Sequence, residues 1–73
     1  MNAHIRLASG GFQHRPLPDS GRFEVEDGRL SLMMTTPERA PACVWTYDVG
    51  EWLEAWMQNE GQLEQFGHLT AGR

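Results

Sequence analysis

The chain has 73 residues, a single cysteine and a formal net charge of −4, and all six of its basic residues are arginine. This length predicts one small domain, residues 1–73, with a marginal hydrophobic core. The lone cysteine excludes an internal disulfide, the acidic balance argues against direct nucleic-acid binding, and no apolar run is long enough for a membrane span.

The N-terminal residues contain no apolar segment of the secretory type, so we expect a cytoplasmic protein. The charge is distributed unevenly along the chain. Residues 1–39 are neutral overall, whereas residues 40–73 carry the whole net charge of −4. An acidic half of this kind favours a partner with a basic surface.

The first two predicted elements are short strands. Residues 3–7 alternate between apolar and polar, which is typical of a strand with one buried face. Residues 12–14 are predicted to form a second strand that pairs back on the first. Pro16 and Pro18 then predict an irregular loop over residues 15–21.

The segment RFEVEDGRLSLMM predicts a β-hairpin with Asp27 and Gly28 as its two turn residues. A two-residue turn sets the register, so that Glu26 faces Arg29. The same register predicts an apolar face made of Phe23, Val25, Leu30, Leu32 and Met34.

Residues 42–47, ACVWTY, are rich in β-branched and aromatic side chains and predict a third or fourth strand. Both faces of this strand are apolar. We therefore expect a central strand, or one that a partner covers.

Residues 48–60 are predicted to form an amphipathic helix. Asp48 is a suitable N-cap residue, and Glu51 stands three positions later, as in a capping box. Tyr47 and Trp52 occupy the two positions of a hydrophobic staple. The apolar residues that recur at helical spacing are Val49, Trp52, Leu53, Trp56 and Met57.

The predicted fold is therefore α+β: an antiparallel sheet of three to four strands with the helix 48–60 packed across one face. A short helical turn is expected over residues 63–66 and a flexible tail over residues 68–73. The predicted core consists of Ile5, Leu7, Phe23, Val25, Leu30, Leu32, Val44, Trp52, Leu53 and Trp56.

The predicted binding surface lies on this helix. Trp52 and Trp56 are assigned mainly to the core, with an edge of Trp56 left at the surface, because tryptophan is seldom fully buried. Acidic side chains around that edge are expected to meet a basic groove, although a merely solvated acidic face is the simpler alternative. The predicted partner-binding residues are Glu51, Glu54, Trp56, Met57 and Glu60.

No catalytic residue, cofactor or metal site is predicted. Glu24 and Glu26 are about 6.5 to 7 Å apart on one strand face, but a hairpin surface offers no cleft for a pair of catalytic carboxylates. The three histidines lack the spacing of metal ligands. Cys43 is expected to be a small buried hydrophobic residue.

In form, the chain resembles the small acidic inhibitor proteins of phages and mobile elements, such as anti-CRISPR proteins. The resemblance is carried by a short sheet (RFEVEDGRLSLMM, ACVWTY), an acidic predicted helix (DVGEWLEAWMQNE) and a length below 100 residues. It implies stoichiometric binding to a larger, nucleic-acid-handling enzyme. No residue is carried over, because such proteins share no motif.

Three functions follow as hypotheses. The first is a non-enzymatic protein-binding module that inhibits a larger, basic partner. The second is a self-assembling structural or accessory subunit, for instance a homodimer, which the two-sided apolar strand 42–47 favours. The third is an enzyme or small-molecule binder, which a chain this short seldom supports because it must also enclose a pocket.

Overall fold

The computed structural model describes residues 1–71, which form seven β-strands and no helix. The predicted α+β fold with a helix over residues 48–60 is therefore wrong. None of the described residues lies in a helix that is long and apolar enough to cross a membrane. The strands are β1 (Asn2–Leu7), β2 (Phe12–Pro16), β3 (Arg22–Glu26), β4 (Arg29–Thr35), β5 (Pro41–Tyr47), β6 (Trp52–Gln58) and β7 (Gln65–Thr70).

The strands form two antiparallel sheets that share one core. The first sheet has the order β2-β1-β6-β7, and the second has the order β3-β4-β5. Alternating residues of the central strands β1, β4 and β6 point between the sheets, as in a β-sandwich. The buried residues are Ala3, Ile5, Leu17, Leu30, Leu32, Tyr47, Trp52, Ala55 and Met57.

The predicted hairpin is confirmed as β3 and β4. Glu26 pairs with Arg29, and Val25 pairs with Leu30, as the two-residue turn requires. Asp27 has φ of 53° and Gly28 has φ of 81°, so both turn residues adopt the left-handed conformation of a type I′ turn. The N-terminal strands are also confirmed, and β2 pairs back on β1.

Strand β5 confirms the predicted strand 42–47 but not its central position. It pairs with β4 alone and forms an edge of the second sheet. The register slips between Leu32 and Met33, so that Val44 is an extra residue in a β-bulge. Tyr47 is buried, whereas Val44 is 38% exposed and Trp45 is 47% exposed.

The expected start of the helix is instead a turn. The predicted capping contact is present, because the backbone N–H of Asp48 donates to Oε1 of Glu51 over 2.7 Å. The N–H of Glu51, however, donates back to the carbonyl of Asp48, and Gly50 has φ of 84°. A positive φ at the third position belongs to a type II turn, and it redirects the chain into β6.

A β-bulge separates Trp52 from Trp56. Residues four apart in a regular strand share one face, as they nearly do in a helix. Leu7 pairs with Trp52 and Arg6 pairs with Glu54, so Leu53 is an extra residue. Trp52 therefore points into the core, and Trp56 lies on the outer face of the first sheet.

The predicted core is partly confirmed. Ile5, Leu30, Leu32 and Trp52 are buried, and Leu7 and Phe23 pack against them. Three predicted core residues are exposed because they lie at a strand edge or in a bulge, and Trp56 faces outward. The predicted core position is therefore wrong for Val25, Val44, Leu53 and Trp56.

The C-terminal segment is more regular than predicted. Gln65–Thr70 form β7 and pair with β6, so the flexible tail is wrong for residues 68–70. The helical turn predicted at 63–66 is also wrong, since Leu63 lies in a connection and is 95% exposed. Residues 72 and 73 lie outside the described part of the chain.

We expect Gly21→Ala to lower the free energy of unfolding by about 1 to 3 kcal/mol through overpacking. A Cβ atom at Gly21 is placed 2.7 Å from Cβ of Leu17 and 3.0 Å from the carbonyl oxygen of Pro18. Gly11→Ala is the matched control, because nothing lies within 4 Å of its Cβ position. Urea denaturation of both variants checks this, and equal losses contradict the packing at Leu17.

Candidate functional site

The structure does not bring the five predicted partner-binding residues together. Glu54 and Trp56 lie on the outer face of β6, whereas Met57 points into the core. Glu51 belongs to the turn before β6, and Glu60 belongs to the connection after it. The predicted acidic rim around one tryptophan depended on a helix, and in its place the structure has a turn, strand β6 and a connection.

Glu54 is the single acidic residue of its four-stranded sheet, and neighbouring strands hold it. Nε of Arg6 donates to its Oε2 over 2.7 Å, and Nε2 of His68 lies 2.9 Å from its Oε1. These hydrogen bonds, first from Arg6 and then from His68, lower the pKa of Glu54 below its ordinary value. The carboxylate is thus engaged within the sheet rather than free to meet a partner.

Four aromatic side chains form a row across the outer face of this sheet. The ring of His4 is parallel to that of Trp56, with centroids 5.6 Å apart, and Trp56 stacks on His68 at 5.8 Å. His14 meets His4 edge to face at 4.4 Å. We call His14, His4, Trp56 and His68 the aromatic row.

Trp56 is the central ring of the aromatic row. Both faces of Trp56 are occupied, one by His4 and the other by His68. Base stacking on an exposed sheet needs free aromatic faces. The row therefore stabilises the sheet through cross-strand pairs, and the faces of Trp56 are not free for base stacking.

His4 makes the row sensitive to pH. Burial, and secondarily the charge of His14, lower the pKa of His4 below its ordinary value of 6.5. Between the lowered pKa and 6.5, the unfolded chain binds more protons than the folded chain. Stability is therefore lost as the pH falls through 6.5, and the loss is complete below the folded-state pKa. Glu54 affects stability over a lower pH range. Its ionised carboxylate stabilises the fold, and this contribution is lost as the pH falls through its lowered pKa.

We expect His4→Gln to reduce the fall in unfolding free energy between pH 7.5 and pH 5.5. The variant removes the group whose protonation favours the unfolded chain. Urea denaturation at the two pH values, for wild type and variant, measures this difference. An unchanged pH dependence in His4→Gln contradicts the assignment to His4.

The remaining polar candidates are the possible metal ligands, Cys43 and the carboxylate of Glu24. No group of three or more His, Cys, Asp or Glu side chains within residues 1–71 is placed to hold a metal ion. Cys43 is exposed rather than buried, and its sulfur contacts the hydroxyl of Thr46 at 3.2 Å. Glu24 is exposed beside Arg22, at 3.6 Å, as a solvated ion pair.

Polar side chains join the two sheets at the edges formed by β2 and β5. On the side of β2 and β5, Nε of Arg15 donates to the hydroxyl of Tyr47 over 2.9 Å, and that hydroxyl donates to Gln13 over 2.6 Å. The guanidinium of Arg15 also lies 3.9 Å from the ring centroid of Trp45. A cavity of about 520 Å³ lies beside this junction, lined by both polar and apolar residues.

The opposite side, between the edges of β3 and β7, is open and apolar. Two cavities, of about 370 Å³ and about 570 Å³, lie along this side. The first lies between Phe23 and Phe66, and the second between Val25 and Leu53. We call this surface the apolar seam; its residues are Phe23, Val25, Val49, Leu53, Phe66 and Leu69, and its floor is formed by Trp52 and Met57.

The apolar seam contains four of the exposed large hydrophobic residues of the described chain. Val49 is 64% exposed and Val25 is 48% exposed, while Leu53 and Phe66 are exposed to a similar or smaller extent. Of the predicted binding residues, only Met57 contributes to it, from below.

Fold and site together define a small all-β sandwich with one open, apolar side. Searches against protein-family models, curated proteins and solved structures find no match.

Proposed function

We propose that this protein is a non-enzymatic protein-binding module that binds a larger partner stoichiometrically through the apolar seam. One observation carries the proposal: exposed apolar side chains collect along an open groove between two sheet edges. Covering such a surface stabilises a complex by roughly 25 cal/mol for each Å² of apolar area removed from water.

The charge distribution supports a basic partner. The net charge is −4 over the whole chain. The four strands of the first sheet contain one acidic residue, Glu54, so the other acidic side chains lie outside these strands. Glu26, Asp27 and Asp48 lie together at the hairpin end of the second sheet, beside Arg29, whose Nε is 3.1 Å from Oδ1 of Asp48. Acidic groups at the rim accelerate association with a basic surface and make it salt-sensitive.

The mode of action that fits these features is inhibition. A small acidic protein that covers part of a basic, nucleic-acid-handling enzyme blocks it without any chemistry of its own, as the anti-CRISPR resemblance implies. We propose the cytoplasm as its compartment, since the exposed thiol of Cys43 stays reduced there.

The test compares Val49→Glu with Val44→Glu as tagged baits in a lysate of the native host. Both changes introduce the same charge at an exposed valine, but Val49 lies in the seam and Val44 lies on β5. We expect wild type and Val44→Glu each to capture one partner, at about one partner molecule per bait molecule. Val49→Glu is expected to capture at least tenfold less of that partner. High salt is expected to reduce the amount captured.

Quantitative mass spectrometry gives the comparison, and circular dichroism shows that both variants are folded. Equal capture by Val49→Glu and wild type contradicts the seam as the contact surface. Loss of capture with both variants contradicts it as well, because the effect then does not depend on position.

Self-assembly is the second candidate, and strand β5 favours it. Its sequence, PACVWTY, contains no charged residue, and it forms a sheet edge with Val44 and Trp45 exposed. Natural edge strands usually carry charges that prevent pairing with a second copy. Sedimentation velocity at tens of micromolar decides: a dimer that Thr46→Lys dissociates supports this candidate, and a monomer at every concentration removes it.

A further inference from the structure

Strand β3 has a free hydrogen-bonding edge. It pairs with β4 and with no other strand of residues 1–71. The two residues that flank a two-residue hairpin turn form a hydrogen-bonded pair, here Glu26 and Arg29. Because hydrogen-bonded and non-hydrogen-bonded pairs alternate, the backbone groups of Phe23 and Val25 point away from β4.

The side chains of the same two residues line the apolar seam. Phe23 borders the cavity of about 370 Å³, and Val25 borders the cavity of about 570 Å³. A strand placed beside β3 would therefore satisfy these backbone groups and direct every second side chain into the seam. Its remaining side chains would lie on the outer face, next to Glu24 and Glu26.

We propose that the partner of this protein contributes an extended segment that adds to β3 as a further strand. Strand addition at a free edge draws affinity from backbone hydrogen bonds and specificity from alternate side chains. The segment has apolar residues at alternating positions, which fill the two cavities. It has arginine or lysine between them, which pair with the carboxylates of Glu24 and Glu26. This inference rests on the proposed protein-binding function and specifies its geometry.

A second copy of β3 is a poor occupant of this edge. Antiparallel self-pairing centred on Glu24 or Val25 would bring a glutamate of one copy directly opposite a glutamate of the other. Only Arg22, which already lies 3.6 Å from Glu24, offsets that charge within the strand. Like charges directly opposite one another destabilise a strand pair.

The decisive variant is Val25→Pro. Proline removes the edge N–H, and because this N–H does not pair with β4, the ladder of the hairpin is retained. Val25→Ile is the matched control, since it keeps the N–H and a branched apolar side chain. The probe is a synthetic nine-residue peptide in which valine alternates with arginine and threonine.

Amide exchange measured by NMR gives the first readout. On adding the peptide to wild type, we expect the amides of Phe23 and Val25 to exchange at least tenfold more slowly, while the paired amide of Glu24 changes little. Peptide affinity, from the same titration, is expected to fall about tenfold in Val25→Pro and to stay within about twofold in Val25→Ile.

Three results overturn strand addition. The first is equal peptide affinity in Val25→Pro and Val25→Ile. The second is no slowing of the Phe23 and Val25 amides at saturating peptide. The third is slower exchange of the same two amides in the absence of peptide as the concentration of the protein is raised. That result would assign the edge to a second copy of the protein. Failure of the proposed function itself is separate, because it appears as unchanged partner capture by Val49→Glu.

Discussion

Trp52→Ala is expected to lower the free energy of unfolding by about 3 to 5 kcal/mol, the largest effect of any tryptophan replacement in this chain. Trp52 is 1% exposed and is the largest fully buried side chain. Its Nε1 donates to the carbonyl of Gly28 over 3.0 Å, which ties the first sheet to the hairpin of the second. The replacement therefore creates a cavity and removes a contact between the sheets.

Trp45→Ala is the matched control. Trp45 is 47% exposed at the sheet edge, and its ring is covered on one side by Arg15. We expect a loss of about 1 kcal/mol or less, mainly from the cation–π contact. Guanidinium denaturation measures both variants, and Trp52→Phe replaces Trp52→Ala if the alanine variant is unfolded in buffer. Equal losses at the two positions contradict the assignment of Trp52 to the core.

Leu32→Ala is expected to cost about 2 to 5 kcal/mol, whereas Leu63→Ala is expected to change stability by no more than about 0.5 kcal/mol. Both variants remove the same atoms. Leu32 is fully buried on β4, and Leu63 is 95% exposed in the connection between β6 and β7. Thermal unfolding of the two variants is a direct comparison, and a large loss at Leu63 contradicts the exposed connection.

The β3–β4 hairpin could be predicted because several local signals agree. Alternating side chains predict two strands, and Asp27-Gly28 predicts the turn between them. Register then follows from the turn length alone. For this segment, long-range contacts are not needed to decide the structure.

The segment 48–60 was predicted wrongly because its local signals fit two structures. Glu51 does reach back to the N–H of Asp48, as a capping box requires. Gly50, at φ of 84°, turns that contact into a tight turn, and β1 and β7 then pair with β6 on both sides. Such tertiary pairing overrides helical periodicity, and no short window of sequence reveals it.

The candidate site was still less predictable. The side on which Trp56 lies depends on one extra residue, Leu53, in a bulge that has no marker in the sequence. The apolar seam depends on which strand edges remain unpaired, and that is a property of the whole topology. The sequence predicts a core position for Val25 and Leu53 because their apolar character does not show that the groove above them is open.

Site-directed photo-crosslinking tests the central claim, that the apolar seam is the contact surface, most directly. A photoreactive phenylalanine derivative is placed at Val49 in the seam, or at Thr46 on the opposite side of the second sheet, in protein exposed to a lysate of the native host. We predict that one larger protein is crosslinked from Val49 and not from Thr46. A partner crosslinked from Thr46 and not from Val49 would contradict the claim.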